Sequence, residues 1–427
     1  MSDEFDQQWL GGLPADWSEK RADFLCDPYR VTVDPSVFGD DLVAHYSIPQ
    51  VQETGGPIIE PASDIDSTKL LITAPTLLVS KLNPRKRTIC IAEPHGEHPT
   101  LASGEFVAIK SDAMDRRYAY YLWCSQKVTD RLSAIVQSAT RSHQRVNPSD
   151  ILKLPWKWPP FDTQHRIARF LDERTGRIDG LIEKKRALLD RLAEKHQALI
   201  TRAVTKGLNP DAPMKPSGID WLGDIPTHWE VLPLRRVLRS STYGISASLE
   251  PAGDVAVLRM GNLTEGEIDF GDLRFLDDVD QNLILEAGDV VFNRTNSLDL
   301  VGKAAIFRGG ADFPVSLASY LVRFRFTERY LPEYANFVMG TEGLLRLART
   351  LALPSIGQAN LNPSRYAEIE FSIPPVPEQA GIVSYLAEQT DKLRSASEKI
   401  TQSLRQLTEY RAALITAAIT GQVADLA

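Results

Sequence analysis

The chain has 427 residues, 43% hydrophobic and 24% charged, which suits two or three domains, each with a core of its own. No run approaches the ~18 uninterrupted apolar residues of a membrane helix, and the acidic start MSDEFDQQWL lacks the basic and then apolar character of a signal peptide, so a cytoplasmic location is expected. The net charge of −8 weighs against nucleic-acid binding by bulk attraction, yet residues 1–66 hold 14 Asp/Glu against 3 Lys/Arg, a net of −11, and leave the rest at +3.

The chain opens on Trp9-Leu-Gly-Gly-Leu-Pro-Ala-Asp-Trp17. An irregular segment follows, with short β-like runs such as Ile89-Cys-Ile91 punctuated by Gly, Pro and Asn. It holds Cys26, Cys90 and Cys124, a set with neither a disulfide framework nor zinc spacing. Two polar loops stand out there: Lys81-Leu-Asn-Pro-Arg-Lys-Arg87 and Thr140-Arg-Ser-His-Gln-Arg145. After Asn147-Pro-Ser149 and Pro159-Pro160, the span 162–206 is rich in Leu, Ala, Glu, Lys and Arg and stops at Gly207, which predicts one long helix. The same order then returns. Trp221-Leu-Gly-Asp-Ile-Pro-Thr-His-Trp229 leads into β-like runs Asp289–Phe292 and Tyr320–Phe326, polar loops Asn293-Arg-Thr-Asn-Ser297 and Pro354-Ser-Ile-Gly-Gln-Ala-Asn360, and a second helix over 377–420 ending at Gly421.

The second half is a copy of the first. Ala198-Leu-Ile-Thr-Arg-Ala-Val-Thr205 and Ala413-Leu-Ile-Thr-Ala-Ala-Ile-Thr420 share six of eight residues at an offset of 215, and the two tryptophan lead-ins correspond at an offset of 212. Positions 382, 386, 393, 400, 404, 407, 414 and 418 alternate by threes and fours, as do 167, 171, 178, 189, 192, 199 and 203, the heptad seam of helices that pair along their length. A helix of 44 residues runs ~65 Å at 1.5 Å per residue. Between residues 30–140 and 243–350 almost no identity aligns. A scaffold repeated around two divergent modules suggests one mechanical job done twice with two different recognitions.

No catalytic site declares itself. There is no phosphate-binding glycine loop, the seven histidines show no ligand spacing, and Glu105…Lys110 fits a nuclease pattern only with relaxed spacing. Contact with nucleic acid has more support. Arg can grip guanine O6/N7 and Asn or Gln adenine N6/N7 in bidentate fashion, while Lys holds phosphate. Lys81–Arg87 and Asn293–Ser297 take corresponding places in the two copies, and the loops at 140–145 and 354–360 precede the helices; a solvated loop or a capping turn is the competing role for each. The candidates for DNA contact are Lys81, Asn83, Arg85, Lys86, Arg87, Arg141, Gln144, Arg145, Asn293, Arg294, Asn296, Lys303, Gln358 and Asn360. Trp9, Trp17, Trp221 and Trp229 repeat with the scaffold and are expected to anchor cores.

In this order and doubled, Trp221–Trp229, Gly288-Asp-Val-Val-Phe-Asn-Arg-Thr-Asn296, Leu300-Val-Gly-Lys303, Asn360-Leu-Asn362, Ile373-Pro-Pro-Val-Pro-Glu-Gln379 and Ala413–Gly421 carry a recognisable pattern. The chain resembles the specificity subunit of type I restriction-modification systems. The first copy departs from it at Asp162-Thr163, where the second has Pro377-Glu378. The resemblance implies an α+β fold: two β-rich target-recognition domains separated by two long antiparallel coiled-coil helices, related by an internal pseudo-twofold repeat. The expected divisions are 1–160 (first recognition domain), 161–207 (first helix), 208–375 (linker and second recognition domain) and 376–427 (second helix and tail). It further implies a non-catalytic reader of a bipartite site in double-stranded DNA. Two modification subunits using S-adenosylmethionine would be its partners, with restriction subunits using ATP and Mg; no cofactor would bind this chain, and no membrane is involved. Two other readings compete: a coiled-coil adaptor that does not read DNA, and a nuclease or methyltransferase with an unrecognised site.

Overall fold

A computed structural model describes residues 9–138, 144–355, 357–423 and 426. The chain divides into two compact units, Met1–Arg186 with Thr401–Ala427, and Ala187–Ile400. Both long helices are continuous, Phe161–Lys206 with 46 residues and Val376–Ile419 with 44. Pro377 lies in the first turn, where a missing N–H costs nothing, and Gly207 and Gly421 end the helices at φ +73° and +70°, the left-handed closure that glycine adopts without strain.

Each unit takes one end of each helix, and within each the two ends run antiparallel. In the first, Asp179 pairs with Arg411 at 2.8 and 3.1 Å, while Ile167 and Leu171 share a core with Ile415 and Ile419. In the second, His196 meets the Thr390 hydroxyl at 2.9 Å and Val204 shares a core with Ile382 and Leu386. Every seam position read from the heptad spacing is buried or half-buried, and those at mid-helix, Leu189, Leu192, Leu393, Ile400, Leu404 and Leu407, are only half-buried. That is the narrow stripe of two paired helices.

The first unit is built from a four-stranded sheet in the order Asp27–Tyr29, Phe106–Lys110, Thr76–Ser80, Ile89–Ala92. In the second, Leu238–Tyr243, Leu321–Phe326, Asp289–Asn293 and Ala304–Phe307 follow the same order, extended by Gly266–Ile268 and Leu263–Thr264. Each unit also sets one parallel strand pair in a second sheet, Leu42–Tyr46 beside Thr100–Ala102 and Val255–Leu258 beside Val315–Leu317. The divergent segments therefore share an architecture that their residues do not advertise. The reason lies in the central strands, which are buried on both faces. Leu77 and Val79 point into one core and Leu78 into another; Val290 and Phe292 likewise oppose Val291. A strand covered on both sides needs only to be apolar, so many sequences satisfy it.

The repeated residues, by contrast, close specific geometry. The strands after each tryptophan lead-in pair with the last strand before each helix, Ser18–Arg21 with Pro155–Trp158 and Glu230–Pro233 with Glu370–Ile373. Asn147 and Asn362 cap the short helices Pro148–Leu152 and Pro363–Tyr366 through their side chains, with proline at the first helical position. Gln164 is buried, accepts from Asp115 N at 2.9 Å and donates to Pro159 O at 2.9 Å; Gln379 does the same with Leu331 N and Pro374 O, each at 2.8 Å. Trp9, Trp17 and Trp229 are buried and Trp221 half-buried against Phe371, so these rings are core anchors.

Candidate nucleic-acid interface

The central strand of each four-strand core delivers the chain into the loop that the sequence singles out. Thr76–Ser80 runs into Lys81–Arg87, and Asp289–Asn293 into Arg294–Lys303. The backbone then fastens each loop in the same way. Lys81 N donates to Glu105 O at 2.9 Å and Val146 N to Lys81 O at 2.9 Å; Arg294 N donates to Tyr320 O at 3.0 Å and Leu361 N to Arg294 O at 2.7 Å. The two loops that the sequence marks in each copy thus lie side by side. Asn83 N reaches Gln144 O at 2.9 Å and Leu82 bridges Arg145, while Thr295–Asn296 pairs with Gln358–Asn360, itself in a hairpin with Leu353–Ser355.

The first unit holds most of these cations against its own acceptors. Lys81 is largely buried, donates to Gly104 O at 2.5 Å and lies 3.9 Å from Glu105; burial lowers its pKa, with Glu105 opposing. Arg145, 54% exposed, donates from Nη2 to both oxygens of the Glu105 carboxylate. Arg87 bonds Gln126 Oε1 and, like Asn83, sits at positive φ. Arg85 and Lys86 are exposed on the single turn Pro84–Lys86, with Lys86 Nζ 3.5 Å from Gln52 Oε1. Arg141 lies outside the described residues.

The second unit presents different groups. Arg294 is half-buried, its guanidinium 5.3 Å over the Tyr243 ring and Nη1 3.4 Å from Ser319 O. Among the described residues it makes no ion pair, whereas Arg235, Arg259, Arg308, Arg323, Arg325 and Arg329 all do. Asn360 accepts from the Thr295 hydroxyl at 2.7 Å, and Asn296 from Ser297 N at 2.8 Å. Gln358 is exposed and Lys303 half-buried. Asn293 departs from the expectation. It is 2% exposed, because it ends the doubly covered strand, and its side chain cannot reach a duplex from there.

Three participants carried no motif for DNA contact: Glu105, Tyr320 and Tyr243. Glu105 and Tyr320 stand at the repeat's own offset of 215, a signal usable only once the strands around them are known to correspond. Tyr320, 44% exposed, also borders a cleft of about 500 Å³ with Arg259, Asn262, Asp272 and Ser319. Among the described residues, no group of three His, Cys, Asp or Glu could hold a metal ion, and no helix is long and apolar enough to cross a membrane.

No family model matches the chain. It is 23% identical over 185 residues to a Methanocaldococcus jannaschii protein assigned as the specificity subunit of the type I restriction enzyme MjaX, a match covering 42% of this chain and 43% of that one. It is 22% identical over 301 residues to the type I restriction enzyme EcoKI specificity subunit of Escherichia coli, covering 69% of this chain and 62% of the relative. The fold is shared with solved structures. One chain from a study of complex assembly and conformational transition of the type I R-M system gives a TM-score of 0.72 at 15% identity, over 95% of this chain and 98% of that one. The HsdS subunit from Thermoanaerobacter tengcongensis gives 0.50 at 15% identity, over 96% and 98%. In sequence and in fold, the chain resembles the specificity subunits of type I restriction-modification systems.

Proposed function

We propose that this chain is the DNA-reading specificity subunit of a type I restriction-modification complex. Each unit reads one half of a bipartite, asymmetric target in double-stranded DNA through the paired loops on its four-strand core. The helices fix the distance between half-sites. Chemistry belongs to the partners: two modification subunits methylate adenine with S-adenosylmethionine, and restriction subunits use ATP and Mg to translocate and cleave. The carrying observation is that two units of one architecture hold equivalent loops by equivalent backbone bonds yet furnish them with different side chains. A scaffold that only joined proteins would have no use for that divergence.

The net charge of −8 makes phosphate neutralisation by this chain weak, so binding should be weak and salt-sensitive alone and tight with modification subunits. Mobility shifts with randomised duplexes, with and without modification subunits, test this. Sequence-specific nanomolar binding by the isolated chain at physiological salt would refute the division of labour, and absence of any sequence preference in the complex would leave the adaptor reading standing. Inserting one heptad into each long helix should keep the seam in phase and lengthen the spacer of the selected site. An unchanged spacer would rule out the ruler role.

A further inference from the structure

Equivalent backbone positions hold Lys81, Glu105 and Arg145 in the first unit and Arg294, Tyr320 and Asn360 in the second. The carboxylate is the anomaly. A half-exposed anion beside two cations repels phosphate, so a surface that served only to hold a DNA backbone gains nothing from Glu105. Its geometry suggests another use. Both of its oxygens accept from Nη2 of Arg145, leaving Nη1 and Nε, single donors on different edges of that guanidinium, without a partner among the described residues. The bridge to Leu82 fixes the Arg145 backbone beside the loop, and Lys81 is turned inward to Gly104 O.

We infer that Arg145 is a base-reading residue of the first half-site, recognising a guanine by donating to an acceptor on its major-groove edge, O6 or N7, and that Glu105 is its positioning residue. A free arginine on the surface samples many rotamers; one anchored at Nη2 presents its remaining donors in a fixed direction, the condition for reading a base edge. The pair is worth little to stability, as an exposed ion pair usually is. Its value is orientation. Because the second unit has Tyr320 and Asn360 at these places, its half-site is read by other chemistry, and the target is asymmetric at this position. The inference rests on the DNA-reading role proposed above.

The test is selection from randomised duplexes by the full chain assembled with type I modification subunits, for the native protein and for Arg145→Lys, Arg145→Ala, Glu105→Gln and Glu105→Asp. Arg145→Lys keeps the charge but not the planar fork. It should lose discrimination at one base pair of one half-site, by roughly 10- to 100-fold for one charge-assisted hydrogen bond, with the salt dependence of binding unchanged. Glu105→Gln should weaken the same base pair's preference, and Glu105→Asp should restore part of it. The other half-site should stay as in the native protein in every variant. If Arg145→Lys behaves as native while Arg145→Ala weakens all sequences equally and flattens the salt dependence, Arg145 holds phosphate and the inference is overturned. It also falls if the Glu105 variants leave that base pair untouched. A native complex that selects no sequence would overturn the DNA-reading role itself, an outcome distinct from both.

Discussion

Gly421→Ala probes the closure of the first unit, where the end of the second long helix meets the tryptophan lead-in. At φ +70° an alanine there is strained, and its Cβ would stand 2.4 Å from Cγ and 2.9 Å from Cδ of Pro14 and 3.2 Å from Cζ2 of Trp17. A left-handed alanine costs about 1–2 kcal/mol and forced overpacking about 1–3, so the substitution should cost about 2–5 kcal/mol together. The counterpart Gly207, at φ +73°, faces Glu378 Oε1 at 3.0 Å and Trp229 Cζ2 at 3.2 Å. Glu378 is held by His228 Nε2 and Trp229 Nε1 at 2.8 and 3.0 Å, but the Cβ would fall short of contact distance by only a few tenths of an ångström rather than overlap a ring, so Gly207→Ala should cost less than Gly421→Ala, about 1–3 kcal/mol. Gly381 lies inside the second helix with nothing within 4 Å of a Cβ, and Gly381→Ala should stabilise by about 0.5–1 kcal/mol. Calorimetric melting of the full chain reads all three, and for a unit of this size the Gly421 variant should lower its transition by on the order of 10 °C. If Gly421→Ala melts like the native chain, or Gly207→Ala costs more, the packing argument is wrong.

Other predictions follow from the same structure. His45 is buried with Nδ1 2.6 Å from Glu60 Oε1, and burial lowers its pKa; burial also lowers that of His196. The unfolded chain therefore takes up protons first, so stability from these groups is present above about pH 6.5 and is lost as pH falls below it; urea midpoints should decline with acidification, and His45→Gln and His196→Gln should each flatten the decline. Burial pushes Cys90 up to about 12 and Cys124 up to about 11, so an alkylating reagent at neutral pH should modify them only on unfolding; rapid labelling of the native chain would contradict their placement. Arg294→Ala should cost roughly 1–3 kcal/mol at one base pair if it reads a base, and a loss spread evenly over all duplexes would assign it to phosphate.

Several features of the candidate interface were legible in the residues alone. The clusters at 81–87 and 293–297 stand out by composition, and their correspondence follows from the repeat. Glu105 stands out only in its relaxed nuclease spacing with Lys110, which says nothing of DNA reading. Nothing in Gly104-Glu-Phe106 distinguishes it from a turn before a strand, and its meaning comes from Arg145, forty residues away, which a β-bridge brings alongside. Asn293 misled for the opposite reason, since a polar residue at a strand end reads as loop until the cover on both faces is seen.

The sequence by itself determined the doubling, the two long helices with their ends and seam, and the residues that join one copy's parts together. These are encoded locally: a glycine at positive φ, an asparagine cap followed by proline, a glutamine bonding two backbone groups, each tolerating few replacements. Only the tertiary structure decided that the dissimilar segments share one strand order and that positions 81, 105 and 145 match 294, 320 and 360. Strands buried on both faces ask for apolar volume and little else, so identity drifts while register persists, and neighbours across a sheet are set by pairing between residues far apart in the chain.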